Sequence, residues 1–114
     1  MLTLCEKCVL QYIVEHWDDV LKDIEGLSNE EFESNKTIQR SVCMSLFQIG
    51  ELSKTFSDKF IKSHPGVPWG GIKGMRDIIG HAYGTIKYDD IWNTATEEVK
   101  VLKKYCEQIL EENK

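Results

Sequence analysis

At 114 residues and 13.2 kDa the chain has room for one compact domain, 1–114, and none for a second. With 41% hydrophobic and 29% charged residues, 8 Gly and 2 Pro, it has a core to bury and is neither disordered nor collagen-like. Lys+Arg 14 against Asp+Glu 19 leaves a net charge of -5, a field that repels polyanions. A general nucleic-acid coat is excluded, contact with RNA has to be local, and neither DNA nor a membrane is an expected partner.

From the first residues onward, Leu2, Cys5, Val9, Tyr12, Ile13, Trp17, Val20, Leu21 and Ile24 recur with the three-and-four spacing of an amphipathic helix, which Gly26 stops. Glu6 and Lys7 stand where a signal peptide needs an apolar run, and no stretch approaches the roughly 18–20 apolar residues of a membrane span. The expected location is the cytoplasm. Cys5-x-x-Cys8 has half the spacing of a zinc site, but no second such pair completes it. All four cysteines are therefore expected to be buried, small apolar residues, and no metal or other cofactor is expected.

Ser28 to Glu31 reads as a capping box ahead of a short helical turn. Ile38, Val42, Leu46, Ile49, Leu52, Phe56 and Phe60 then predict a second long helix. Wound at about 100° per residue, that helix carries a second stripe, Cys43, Met44, Phe47 and Gly50, about 130° from the first. Two arrangements explain it: a central helix contacted on two sides within one chain, or a homodimer packed through the second stripe. Gly50 in mid-helix costs about 1 kcal/mol relative to Ala, tolerable where another backbone comes close. Ser53, inside the first stripe, is expected to return its hydroxyl to the carbonyl one turn back.

His64-Pro65-Gly66-Val67-Pro68 holds both prolines and is the main break. A shorter helix follows over 69–83, with Trp69 as an anchor for the loop. Asp89-Asp90 opens the last helix, through Ile91, Trp92, Ala95, Val99, Leu102, Cys106 and Ile109. No segment alternates with period two. The fold class is all-α: a single-domain antiparallel four-helix bundle with room for an extra short helix.

The densest cluster of reactive side chains lies in the helix after the prolines. Winding it puts Ile72, Met75, Ile79 and Ala82 on the buried side and Arg76 with Tyr83 on the flank. His81 falls about 140° from Arg76 but only about 40° from Asp77, one turn before it. For Arg76 and His81 to grip one phosphate, either the helix bends at Gly80 or two copies of the chain meet.

Arg76-x-x-x-x-His81-x-Tyr83, preceded by Trp69-x-x-Ile72-x-Gly74-Met75 and by Ile49-Gly50-Glu51, resembles the HepT-like branch of the HEPN superfamily. Those are ribonuclease toxins partnered by minimal nucleotidyltransferase antitoxins. The resemblance implies a HEPN-like homodimer with a metal-independent endoribonuclease site formed by Arg76 and His81 in the cleft between protomers. It also implies a cognate antitoxin that adenylylates Tyr83. Asp77 stands where Asn is frequent.

The side chains suit that chemistry. Cleaving RNA without metal needs a proton carrier at the 2′-hydroxyl and fixed positive charge on the phosphate. An imidazole exchanges protons near neutral pH, and a guanidinium offers a planar fork to phosphate oxygens. Asp77 is expected to orient His81, and Tyr83 to hydrogen-bond the phosphate or stack on a base. Glu51, opposite the main stripe of its helix, is expected to be a solvated or dimer-edge charge. Two other function classes remain: a non-catalytic nucleotide- or RNA-binding subunit of a nucleotidyltransferase, and a structural dimer without ligand.

Overall fold

The computed structural model describes residues 2–113, with the backbone alone at Ala82 and Tyr83. Its helices are α1 (Leu4–Ile24), α2 (Asn29–Ser34), α3 (Lys36–Ser53), α4 (Asp58–Ser63), α5 (Trp69–Ala82), α6 (Tyr88–Asn93) and α7 (Val99–Glu112). A 3-10 turn, Tyr83–Thr85, follows α5, and a π-turn, Thr94–Glu98, joins α6 to α7. The all-α bundle is as expected, and no helix is long and apolar enough to cross a membrane among the described residues.

Local signals account for most of the boundaries. Thr3 and Glu6 form a reciprocal capping box that starts α1, with the Glu6 amide donating to Thr3 Oγ1 at 3.0 Å. At the other end Gly26 takes φ +75°, the left-handed conformation that closes the helix without a Cβ clash. Ser28 and Glu31 make the expected second capping box. The Ser53 hydroxyl donates to the Ile49 carbonyl at 2.7 Å, so a polar residue sits in the stripe with its donor satisfied.

The predicted second helix does not run through to Phe60. It ends at Ser53, and Ser57 caps a separate α4 by accepting from the Phe60 amide at 3.1 Å. The apolar spacing survives the break because Phe56 and Phe60 still stack, their centroids 4.0 Å apart. Both rings then pack on Trp69, whose indole N–H donates to the His64 carbonyl at 3.0 Å. Trp69 thus anchors the proline loop as expected.

α3 is sandwiched, with α1 on one side and α5 on the other. The first stripe faces α1, and Phe47 and Gly50 of the second meet α5, whereas Met44 of that stripe is exposed. The first stripe meets the buried Leu10, Ile13, Trp17, Val20 and Ile24 side of α1, while α7 covers α1 through Val99, Leu102, Cys106 and Ile109. Cys43 and Cys106 are buried. Cys5 and Cys8 are exposed, against expectation, as is Tyr12. The inward face of α1 is set by Leu10 and Trp17, and the winding from these turns Cys5, Cys8 and Tyr12 outward. Among the described residues no cluster of three or more His, Cys, Asp or Glu could hold a metal ion.

Candidate functional site

Gly50 is where α5 reaches α3. A Cβ there would collide with the Cβ of Arg76, lie 2.7 Å from its Cγ and come within 3.4 Å of the Ile72 carbonyl oxygen. The glycine therefore serves a contact within one chain, and the stem of Arg76 lies in the space it leaves. The Arg76 side chain is only 17% exposed, so its guanidinium is held in the interhelical groove rather than free in solvent.

Three side chains fix that guanidinium, and a fourth, Lys54, braces one of them. Its Nε donates to Glu51 Oε1, and its Nη1 donates to Asp77 Oδ1 at 3.1 Å. Its Cζ stands 4.9 Å from the centroid of the Phe47 ring, within cation–π range. Lys54 approaches Glu51 Oε1 at 3.4 Å from the following turn of α3. The hydrogen bond from Arg76 holds the Glu51 carboxyl below the usual carboxylate range, with Lys54 adding to the effect and partial desolvation opposing it. Reciprocally, the bond to Glu51 raises the Arg76 pKa further above its already high value, and Asp77 contributes in the same direction.

Glu51 makes a contact that sequence reasoning missed: with its side chain 38% exposed, it is also an ion-pair partner across the helix interface. The signal was its position beside Gly50: a mid-helix glycine marks a close approach, and the neighbouring acid then meets whatever cation the other helix brings. Asp77 makes a contact that was not anticipated: its Oδ1 accepts from the adjacent Arg76 guanidinium.

His81 is exposed in the last turn of α5, which is α-helical through Gly80 to Ala82. The helix is not interrupted at Gly80. Tyr83 begins the 3-10 turn, and its side chain lies outside the described residues.

Two recesses flank the Arg76–Glu51 pair along the α3–α5 groove. One, of about 320 Å³, has Gly50, Lys54, Trp69 and Lys73 in its walls. The other, of about 450 Å³, is walled by Cys43, Met44, Phe47 and Ile79 with Arg40 and Gly80 at its rim. A larger cavity, about 690 Å³, lies among Trp17, Ile72, Met75, Leu102 and Tyr105, and none of Arg76, Asp77 or His81 lines it.

A family model described as ribonuclease HepT-like matches residues 11–109, nearly the whole chain and every element of this groove. The chain belongs to the HepT-like family. It is 33% identical over 105 residues to a protein of Caldanaerobacter subterraneus subsp. tengcongensis whose name reads "Putative RNase", covering 92% of this chain and 94% of that one. A Methanocaldococcus jannaschii protein with the same style of name is 35% identical over 101 residues, 89% of this chain and 93% of the relative. A Thermococcus cleftensis protein named "Probable ribonuclease HepT" is 35% identical over 80 residues, 70% of this chain and 73% of its own. No solved structure matches the chain significantly. This HepT-like chain carries its motif arginine on the groove and its motif histidine five residues, about 1.4 turns, further along α5.

Proposed function

We propose that this chain is a metal-independent endoribonuclease, the toxin of a toxin–antitoxin pair acting in the cytoplasm. The observation that carries the reading is the clamped guanidinium: Arg76 is withdrawn from solvent and aimed along a groove by Glu51, Asp77 and Phe47, in a chain of the HepT-like family. A cation built into a groove in this way is pre-organised for a phosphate, which removes much of the entropic cost of ordering it on binding.

In this reading the RNA 2′-oxygen attacks the adjacent phosphorus and the bond to the 5′-oxygen breaks. The products are a 2′,3′-cyclic phosphate and a 5′-hydroxyl. His81 takes the proton lost by the 2′-hydroxyl, a proton is returned to the departing 5′-oxygen so that none is gained or lost overall, and Arg76 neutralises charge on the crowded phosphate. No metal takes part.

The working form is a homodimer. His81 lies about 140° from Arg76 around a helix that does not break at Gly80, so one copy does not converge both groups on a single phosphate. Moreover, Glu51 and Asp77 offset the charge of Arg76 within one protomer. A second copy supplies the missing convergence. A cognate nucleotidyltransferase adenylylates Tyr83 and silences the enzyme, the added phosphate and bulk blocking the groove that RNA needs.

The test is cleavage of single-stranded RNA by purified protein with EDTA present. Wild type should generate cyclic-phosphate ends, while His81→Ala and Arg76→Ala should each lose at least about a hundredfold in rate. Activity that disappears on chelation, or survives His81→Ala, would overturn the mechanism. With the partner enzyme, ATP and Mg²⁺, intact-mass spectrometry should show AMP addition that Tyr83→Phe abolishes.

A further inference from the structure

The α3–α5 groove continues past Arg76 into the recess bounded by Cys43, Met44, Phe47 and Ile79. What keeps the passage open is Gly80. A Cβ there would lie 3.0 Å from Phe47 Cε2 and 3.6 Å from Arg76 Nη1, so any side chain would stand between the recess and the guanidinium. The walls are apolar, yet Met44 at the mouth is 58% exposed, which makes the recess an open slot rather than a sealed part of the core. At its far rim stands Arg40, two helical turns before Phe47 on α3. Arg40 and Arg76 are the only arginines in the chain; Arg40 lines this slot, and Arg76 Nη1 lies just behind its Gly80 wall. Arg76 is paired with two carboxylates, whereas Arg40 makes no ion pair among the described residues.

We propose that this slot is a nucleobase subsite for single-stranded RNA, with the phosphate beyond the base held by Arg40 and the phosphate before it delivered to Arg76. The inference rests on the ribonuclease reading and deepens it by locating part of the substrate. An apolar slot with the unpaired Arg40 at one end and the carboxylate-paired Arg76 near the other matches the chemistry of one nucleotide unit, a flat apolar face flanked by anions, with Arg40 supplying the net positive charge. Burying a base beside Phe47 and Ile79 orders the strand, and Gly80 lets the backbone of that strand pass close to α5. Sequence tolerance is expected, since every base has an apolar face and the slot walls offer no hydrogen-bond code.

The experiment measures binding of a 2′-O-methyl pentaribonucleotide, which lacks the 2′-hydroxyl that cleavage requires, to the full-length protein by fluorescence anisotropy. Arg40→Glu and Met44→Glu should each weaken binding about tenfold. Arg40→Ala should also lower the salt dependence, by about 0.7 in the slope of log affinity against log salt, the share of one single-strand phosphate. Lys100→Glu makes the same charge change as Arg40→Glu on an exposed residue that lines a groove beside Leu21 and Trp92, and it should have little effect. Arg40 and Met44 are both exposed and are altered separately, so a variant that misfolds leaves the other to decide.

Equal losses in the Lys100 and Arg40 variants, or no binding by wild type, would overturn the subsite. So would light scattering in which Met44→Glu halves the particle mass, since a second copy would then be the occupant. AMP that displaces the oligonucleotide while binding more tightly than it does would make the slot a free-nucleotide site and overturn the RNA assignment. Failure of the ribonuclease reading would instead appear as absent cleavage of unmodified RNA with oligonucleotide binding intact.

Discussion

Glu51 and Arg76, 25 residues apart in sequence, meet across the α3–α5 interface as an ion pair beside a glycine that leaves room for the arginine stem. The pair ties the fold to the site. Each helix is amphipathic on its own, but the cation is aimed only where the two helices touch.

Substituting Gly50 should therefore cost stability even though alanine is the better helix former. Gly50→Ala gains about 1 kcal/mol of helix propensity. It loses more to the collision with Arg76, overpacking of this kind costing about 1–3 kcal/mol. Urea unfolding should show net destabilisation, and cleavage should fall as Arg76 is pushed off its place. A more stable Gly50→Ala protein with full activity would mean that the two helices separate freely.

The ion pair predicts a pH signature. Glu51 has its folded-state pKa below the ordinary value of 4.5, so its contribution is present above that value and is lost as pH falls through the folded one. Thermal midpoints of wild type and Glu51→Gln should differ at pH 7 and converge as the pH falls below 4.5 through the lowered folded-state value. A gap that stays constant across this range would rule the linkage out.

Asp77 holds Arg76 Nη1, so it competes with any phosphate for the guanidinium. Asp77→Asn should lower KM for RNA several-fold. If the carboxylate instead orients His81, kcat would fall and KM would stay. Arg76→Lys should restore little activity, because a point charge reproduces neither the Glu51 contact and the Asp77 contact together nor a two-point grip on phosphate.

Light scattering at micromolar concentration should give about twice 13.2 kDa for the proposed homodimer. A clean monomer that cleaves RNA would refute the composite site.

Thiol reactivity should divide the four cysteines evenly. Cys5 and Cys8 are exposed, while burial pushes the Cys43 and Cys106 thiols up to about 11. An aromatic disulfide reagent at pH 8 should modify Cys5 and Cys8 quickly in the native protein and reach Cys43 and Cys106 only after denaturation.

The long helices, the Ser28 capping box and the proline break were legible in the linear order of residues. Helical periodicity, glycine and proline punctuation and capping boxes are set by neighbours within a turn or two. The motif Arg76, His81 and Tyr83 was legible for the same reason, being contained in a single helix and its end. The break at 54–57 was not, since Leu52, Phe56 and Phe60 keep helical spacing whether or not the backbone between them is helical. Nor were the outward Cys5 and Tyr12, because an apolar stripe does not say which edge its neighbours will cover. The pairing of Glu51 with Arg76 and the slot beside Arg40 and Gly80 belong to tertiary structure alone. They depend on the rotation and close approach of α3 and α5, and that geometry comes from packing between distant segments, which no local periodicity records.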